Sequence, residues 1–212
     1  MEIEREKASQ ILEELQTEGH RPLKVITENF EVYIAKSGQG IYPPITLINE
    51  FLCSMLLCEW DIPTPKVALI DIDPADIDIP LSSRTKHFHY QNPCFGSKLI
   101  EEAFDAHDLF EMKSRFQYKR LEDPFTLLWI ALFDMWVCNE DRTYRDANLL
   151  DAEDSVSSKS RGYAIDHAQA FLYFGYENLR PDDGFLLPEN NSILEGEIGK
   201  DIRLKVKSQH KS

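Results

Sequence analysis

Two apolar stretches limit what this chain can fold into. "ITLINEFLCSMLLC" (45–58) and "FTLLWIALFDMWVC" (125–138) are each long enough for a helix and hydrophobic almost all round, and each carries a single charge, Glu50 and Asp134. Such helices are expected to be packed on most of their sides, so Trp129 and Trp136 read as core. Asp123 followed by Pro124 is a well-formed start signal for the second helix. A carboxylate taken out of water costs several kcal/mol unless a cation or hydrogen-bond donors meet it. Glu50 and Asp134 therefore each predict a partner. A chain of 212 residues, 42% hydrophobic, can bury two such helices in one domain or in two small lobes sharing a cleft.

The remaining pattern is mixed. "PLKVIT" (22–27) and "FEVYIAK" (30–36), joined by Glu28-Asn29, predict a β-hairpin, and "KVALIDID" (66–73) predicts another strand. Ile3, Ala8, Ile11, Leu12 and Leu15 fall at helical spacing among charges, which predicts an amphipathic helix over 3–16 that Gly19 ends. Residues 87–100 mix strand and turn signals, 101–119 predict helix, and "GYAIDHAQAFLYF" (162–174) alternates like a strand. The expected fold is α+β, with a β-rich N-terminal portion holding one buried helix and a helix-rich C-terminal portion holding a short hairpin.

Composition removes several classes of function. Lysine and arginine total 23 against 37 aspartates and glutamates, a formal net charge of -14, and that field repels phosphate backbones and anionic lipid. Direct nucleic-acid binding and membrane association are not expected. Cys53, Cys58, Cys94 and Cys138 form no CxxC pair and read as reduced, buried thiols. The charged beginning has no apolar signal core, and no window reaches 18 uninterrupted apolar residues, so the expected compartment is the cytoplasm.

The chemistry gathers behind the second helix. "WVCNEDRTYRDANLL" (136–150) sets Asp141 on a polar loop, with Asp146 and Asn148 five and seven residues later, and Asp166 follows at the end of a strand. Lys36, closing a strand upstream, is the natural partner for Glu50, because the helix after it can lie against the sheet with the acid facing the amine. The bland alternative for Glu50 is a solvent-facing or snorkelled acid. Phosphoryl transfer from ATP needs such a set in this order: a phosphate-binding lysine, a glutamate that holds it, a carboxylate that takes the hydroxyl proton, and oxygen ligands for magnesium. Asp166 with Asn148 or Asp146 could supply those ligands. Asp and Asn also cluster in ordinary turns, so the order of the elements carries the argument.

"DMWVCNEDRTYRDANLL" and "YAIDHAQAF", with "YIAK", "LINEF" and "CFGSKLI" upstream, resemble the HipA-like kinases, a divergent branch of the protein-kinase-like fold, from about Gly19 to Phe174. The resemblance implies one kinase domain over 1–212, with a β-rich N-terminal lobe to about residue 100 and a helical C-terminal lobe from about 101. It implies that Lys36 binds ATP phosphate and Glu50 holds it, that Asp141 is the catalytic base, and that Asn148 and Asp166 are magnesium-side ligands. Gly19-His20-Arg21-Pro22 stands where the family covers the nucleotide. Phe95-Gly96-Ser97 matches an element near the lobe junction to which physical reasoning assigns no role. The implied acceptor is a protein serine or threonine, on a translation-related protein or on the kinase itself. Two positions depart from the pattern. Residue 146 is Asp where kinases have Asn, which adds charge beside two acids, and the part after Phe174 is shorter than the helical C-lobe of HipA-type toxins.

Other residues read as structural. Asp134 is expected to accept hydrogen bonds from the catalytic-loop backbone, Arg142 to pair with a local carboxylate, and His167 to pack or hydrogen-bond. His87 and His89, two apart on an expected strand, would share a face and could chelate a metal. The acidic run Asp71, Asp73, Asp76 and Asp78 lacks the glycine and glutamate of an EF-hand and reads as a solvated loop. Rival functions are a nucleotide-binding pseudokinase-like module, a small-molecule kinase, and an acidic interaction protein without a nucleotide site.

Overall fold

The computed structural model describes residues 3–17, 19–38, 44–105, 121–123, 125–139, 141–142, 148–153, 158–171, 193 and 200. The chain divides into two compact units, Met1–Met55 with Pro65–Leu99, and Leu56–Thr64 with Ile100–Ser212.

In the first unit, β1 (Glu4–Glu14), β2 (Leu23–Thr27), β3 (Val32–Lys36), β4 (Val67–Asp71) and β5 (Cys94–Lys98) close into a barrel in the order β1-β2-β3-β5-β4. The β2–β3 hairpin is the one expected, pairing Ile26 with Val32. Closure depends on β1, whose first residues run parallel to β4, from Glu4 opposite Ala68 to Lys7 opposite Asp71, and whose later residues run antiparallel to β2. The sequence signal for a helix at 3–16 is overturned here. Register shifts between Ala8 and Gln10 and between Ile11 and Glu13 mark bulges, and the residues turned inward are Ala8, Ile11 and Glu14. Each bulge adds a residue, so a strand period of two becomes three and imitates a helix.

The barrel is filled by Leu23, Val25, Tyr33, Ala35, Ala68, Ile70 and Cys94, with Ile72, Ile77 and Tyr90 continuing the core. Burial pushes the Cys94 thiol up to about 12, so it packs as a neutral hydrophobe. Gly96, in β5, is a packing requirement, since a Cβ there would lie 2.3 Å from Ile70 Cγ1. That gives Phe95-Gly96-Ser97 its physical role: a strand crossing where the interior leaves no space for a side chain.

Helix α1 (Ile45–Glu59) forms as expected, and Phe51 meets Phe95 of β5 edge to face at 4.9 Å. Its buried residues include Thr46, Asn49, Glu50, Cys53 and Ser54, while Ile45, Ile48 and Leu52 are exposed, so one apolar stripe is not covered as expected. His87–Tyr90 is a short 3-10 turn, not a strand, which removes the shared face expected for His87 and His89. His87 Nε2 lies 3.3 Å from the Ile77 carbonyl, and His89 Nδ1 accepts from the Lys86 amide. The acidic run folds into a turn in which Asp73 caps Pro74–Asp76 by accepting from Ala75 N at 2.9 Å.

The second unit contains α2 (Phe125–Trp136) and an antiparallel sheet of β6 (Ala103–Asp105), β7 (Leu149–Glu153) and β8 (Ser160–Ala164), in the order β6-β7-β8. Strand therefore begins where helix was expected over 101–119; residues 106–120 lie outside the described ones. Asp123 caps α2 through Phe125 N at 2.9 Å. The helix buries Leu127, Ile130, Ala131, Phe133 and Asp134 on one face. Trp129 and Trp136 are not core: they are 53% and 54% exposed, in line with Phe125 and Leu132. Trp136 stacks on Trp60 at 4.9 Å. All four cysteines are free, but Cys58 is exposed, against expectation. Among the described residues no helix is long and apolar enough to cross a membrane.

Candidate active site

In the first unit, the strand-loop-helix order does what the isolated acid requires. Lys36 ends β3 and Glu50 lies one turn into α1, and Lys36 Nζ donates to Glu50 Oε1 at 2.8 Å. The side chains are 14% and 3% exposed, so the pair is shielded from screening solvent. The Gly19-to-Pro22 segment joins β1 to β2. Its base is closed by Leu15 N donating to the Pro22 carbonyl at 2.8 Å, Arg21 takes a left-handed backbone (φ 48), and His20 Nε2 lies 3.4 Å from Thr46 Oγ1 in the first turn of α1.

In the second unit, α2 ends in a tight turn that launches the polar loop carrying Asp141. Cys138 is left-handed (φ 52), its amide donates to the Met135 carbonyl, and the Asn139 amide reaches back to the Asp134 carbonyl at 2.9 Å. Asn139 then points both ways. Its Nδ2 donates to Asp134 Oδ1 at 3.0 Å, and its Oδ1 accepts from the Asp141 amide at 3.3 Å. Asn139 is thus a loop-setting residue that sequence reasoning did not assign; the available signal was a polar residue directly behind an apolar helix.

Asp134 differs from expectation in one respect. Among the described residues its carboxylate accepts from side chains of the loop, Asn139 and Arg142, where donors from the loop backbone were expected. Arg142 Nε lies 2.5 Å from Asp134 Oδ2, and His167 Nε2 lies 3.3 Å from Asp134 Oδ1. Burial by itself would raise the Asp134 carboxyl, but the Arg142 charge and the hydrogen bonds from His167 and Arg142 hold it below the usual carboxylate range. Burial pushes His167 below its ordinary value, and Arg142 adds to that against the opposing pull of Asp134. The sequence expectations for Arg142 and His167, a local carboxylate and a hydrogen bond, agree with this arrangement.

Asp141, Asn148 and Asp166 are all partly exposed. Asn148 Nδ2 lies 3.5 Å from the Asp141 carbonyl, and the Asn148 carbonyl accepts from the Ile165 amide at 3.1 Å, so the three segments adjoin. Asn148 (φ 47) and Asp166 (φ 55) both have left-handed backbone. Asp146 lies outside the described residues. Among the described residues no three His, Cys, Asp or Glu side chains form a metal-holding cluster. Magnesium bound with phosphate and water needs only one or two protein oxygens, and an amide oxygen with a carboxylate, as in Asn148 and Asp166, is a hard donor set that fits it.

The model of the HipA-like kinase family matches residues 8–175. A crystal structure of the Helicobacter pylori proinflammatory kinase CtkA is similar, with a TM-score of 0.55 and 11% identity, covering 82% of this chain. At that identity the likeness is one of fold. The chain spans 62% of the length of that kinase chain. No curated protein matches the sequence.

Proposed function

Because the chain belongs to the HipA-like kinase family over residues 8–175, we propose that it is a cytoplasmic phosphotransferase using ATP and magnesium to phosphorylate a protein serine or threonine, with Asp141 as base. The proposed substrate is a translation-related protein or the chain itself, and the net charge of -14 argues against nucleic acid or anionic membrane as a partner.

The observation that supports the reading most is the shielded Lys36–Glu50 ion pair. An ammonium held by a buried carboxylate presents a fixed positive charge to phosphate oxygens, which a mobile surface lysine does not. In the proposed reaction the acceptor hydroxyl oxygen attacks the γ-phosphorus, the bond to the β-bridging oxygen breaks, ADP leaves, and the hydroxyl proton passes to the Asp141 carboxylate. Asn139 and Asn148 hold the Asp141 peptide on both sides and orient that carboxylate. Asn148 and Asp166 would hold magnesium, with Asp146 as a further oxygen donor. When bound, the ion neutralises charge on the phosphate oxygens. Gly19 and its neighbours would cover the nucleotide.

Replacing a positioned general base costs about 10²- to 10⁴-fold in rate. Asp141→Ala should therefore lower transfer to peptide or to the chain itself by that factor while ATP affinity stays within about threefold, since the carboxylate acts on the acceptor. Equal losses in both would make Asp141 structural. The Asp146 departure favours a second reading, a nucleotide-binding module without transfer. Magnesium-dependent ATP binding with no phosphate transfer to protein or small hydroxyl compounds would support that module.

A further inference from the structure

Arg142 is a buried cation whose guanidinium reaches three separate segments. Towards α2 it makes a forked contact with Asp134, Nε to Oδ2 at 2.5 Å and Nη2 to Oδ1 at 3.3 Å, with both side chains almost sealed from solvent at 1% and 2% exposure. Towards β7, Nη1 donates to the Asn148 carbonyl. Towards the end of β8, Nη2 lies 3.5 Å from the Ile165 carbonyl and 3.1 Å from His167 Nε2. The two carbonyls are informative. One belongs to Asn148 itself, and the other is the peptide oxygen leading into Asp166, so the guanidinium grips the backbone under both magnesium-side residues.

Both residues also have left-handed backbone, which an L-residue keeps only where its surroundings hold it. Asn and Asp tolerate it better than other L-residues because their short polar side chains can hydrogen-bond locally, so what holds each turn is read from its contacts. The Arg142 contacts are in place to hold these turns. A buried ion pair whose sole duty is stability is often replaceable without loss, so the geometry of what this pair touches is more informative than its existence.

We infer that Arg142, anchored by Asp134, is a positioning residue that fixes the peptide planes carrying Asn148 and Asp166 and thereby sets the magnesium requirement of nucleotide binding and transfer. The inference rests on the kinase reading above. Lysine keeps the charge but cannot span three acceptors with one planar fork.

The test is Arg142→Lys in the full chain, with ATP binding measured by calorimetry across a magnesium titration, alongside steady-state transfer. Loss of a group orienting metal ligands costs about 10- to 100-fold in metal affinity. The expected result is a half-saturating magnesium concentration raised by about that factor, magnesium-free ATP binding unchanged, and kcat down about 100-fold, as for a misplacement of about an ångström, with KM for ATP little altered at saturating magnesium. If Arg142→Lys does not fold, His167→Gln, which leaves the ion pair but changes the group opposite Nη2, should raise the magnesium requirement in the same direction by less. An unchanged magnesium requirement in the folded variant overturns the inference, as does an equal loss of magnesium-free and magnesium-dependent binding. A wild-type chain that binds no ATP with or without magnesium overturns the kinase reading itself and this inference with it, whereas wild-type binding and transfer with an unresponsive variant overturn this inference alone.

Discussion

An added carbon at Gly96 would meet Ile70 Cγ1 at 2.3 Å and Cδ1 at 2.8 Å, inside a barrel with no adjacent space. Overpacking of this kind costs about 1–3 kcal/mol, so Gly96→Ala should lower stability to urea by that amount. Combined with Ile70→Ala, which removes both offending atoms, the loss should be smaller than the sum of the two single losses. Glu14 supports a second prediction at this scale. Buried at the end of β1, it accepts from Ser82 N at 2.8 Å and Ser82 Oγ at 3.1 Å. Burial would raise its carboxyl, but hydrogen bonds from Thr85 and Ser82 and the charge of Arg21 hold it below the ordinary glutamate value. A depressed folded value means that the stabilisation is complete above the unfolded value of about 4.3 and is lost as pH falls through the folded one. Glu14→Gln should therefore melt below wild type at pH 7, and the gap should narrow on acidification below about pH 4. Lys36 and Glu50 were legible as a pair because an acid in an apolar helix requires a cation and one lay just upstream. Glu14 was not legible, since its partners Ser82 and Thr85 stand far along the chain and nothing local marks them.

At the scale of elements, legibility followed how local the determining forces are. The β2–β3 hairpin and the start of α2 were readable because a short turn, residues 28–31, and an Asp-Pro cap act within a few residues. β1 was not, because it pairs with two different neighbours, β2 and β4, with bulges against β2, and its glutamates, lysine and leucine are good helix formers. α2 was readable as a helix but not in its orientation, since a stretch apolar on every side does not reveal which side is covered. Its two faces should respond differently to truncation. Phe133 is fully buried against Trp60 and the His167 ring, so Phe133→Ala should cost about 3–5 kcal/mol by chemical denaturation. Trp129→Gln, on the half-exposed stripe, should cost about 1 kcal/mol or less, near the range of surface changes. Similar large losses at both positions would mean that the stripe is covered in solution.

For the whole molecule, the kinase reading assigns Lys36 and Asp166, far apart in the sequence, to one chemical step. The order of these residues along the chain was visible in the sequence. Barrel closure was not, because it pairs Glu4 with Ala68 and no local pattern specifies a parallel contact over that separation. If both residues serve one magnesium-bound nucleotide, ATP stabilises the chain through a single linkage, worth about 2.7 kcal/mol at 100 times its dissociation constant. Lys36→Ala and Asp166→Ala should each remove most of that gain, measured as the rise in melting temperature on adding ATP with magnesium. Groups that act as a unit are not additive, so the double variant should lose about as much as the worse single one. Without magnesium, Asp166→Ala should change the remaining ATP response little, while Lys36→Ala should still weaken it, because in the proposed arrangement the ammonium meets phosphate directly and the carboxylate acts through the ion. Fully additive losses, each a fraction of the whole, would instead assign the two residues to separate ligands and remove the basis for the proposed transfer.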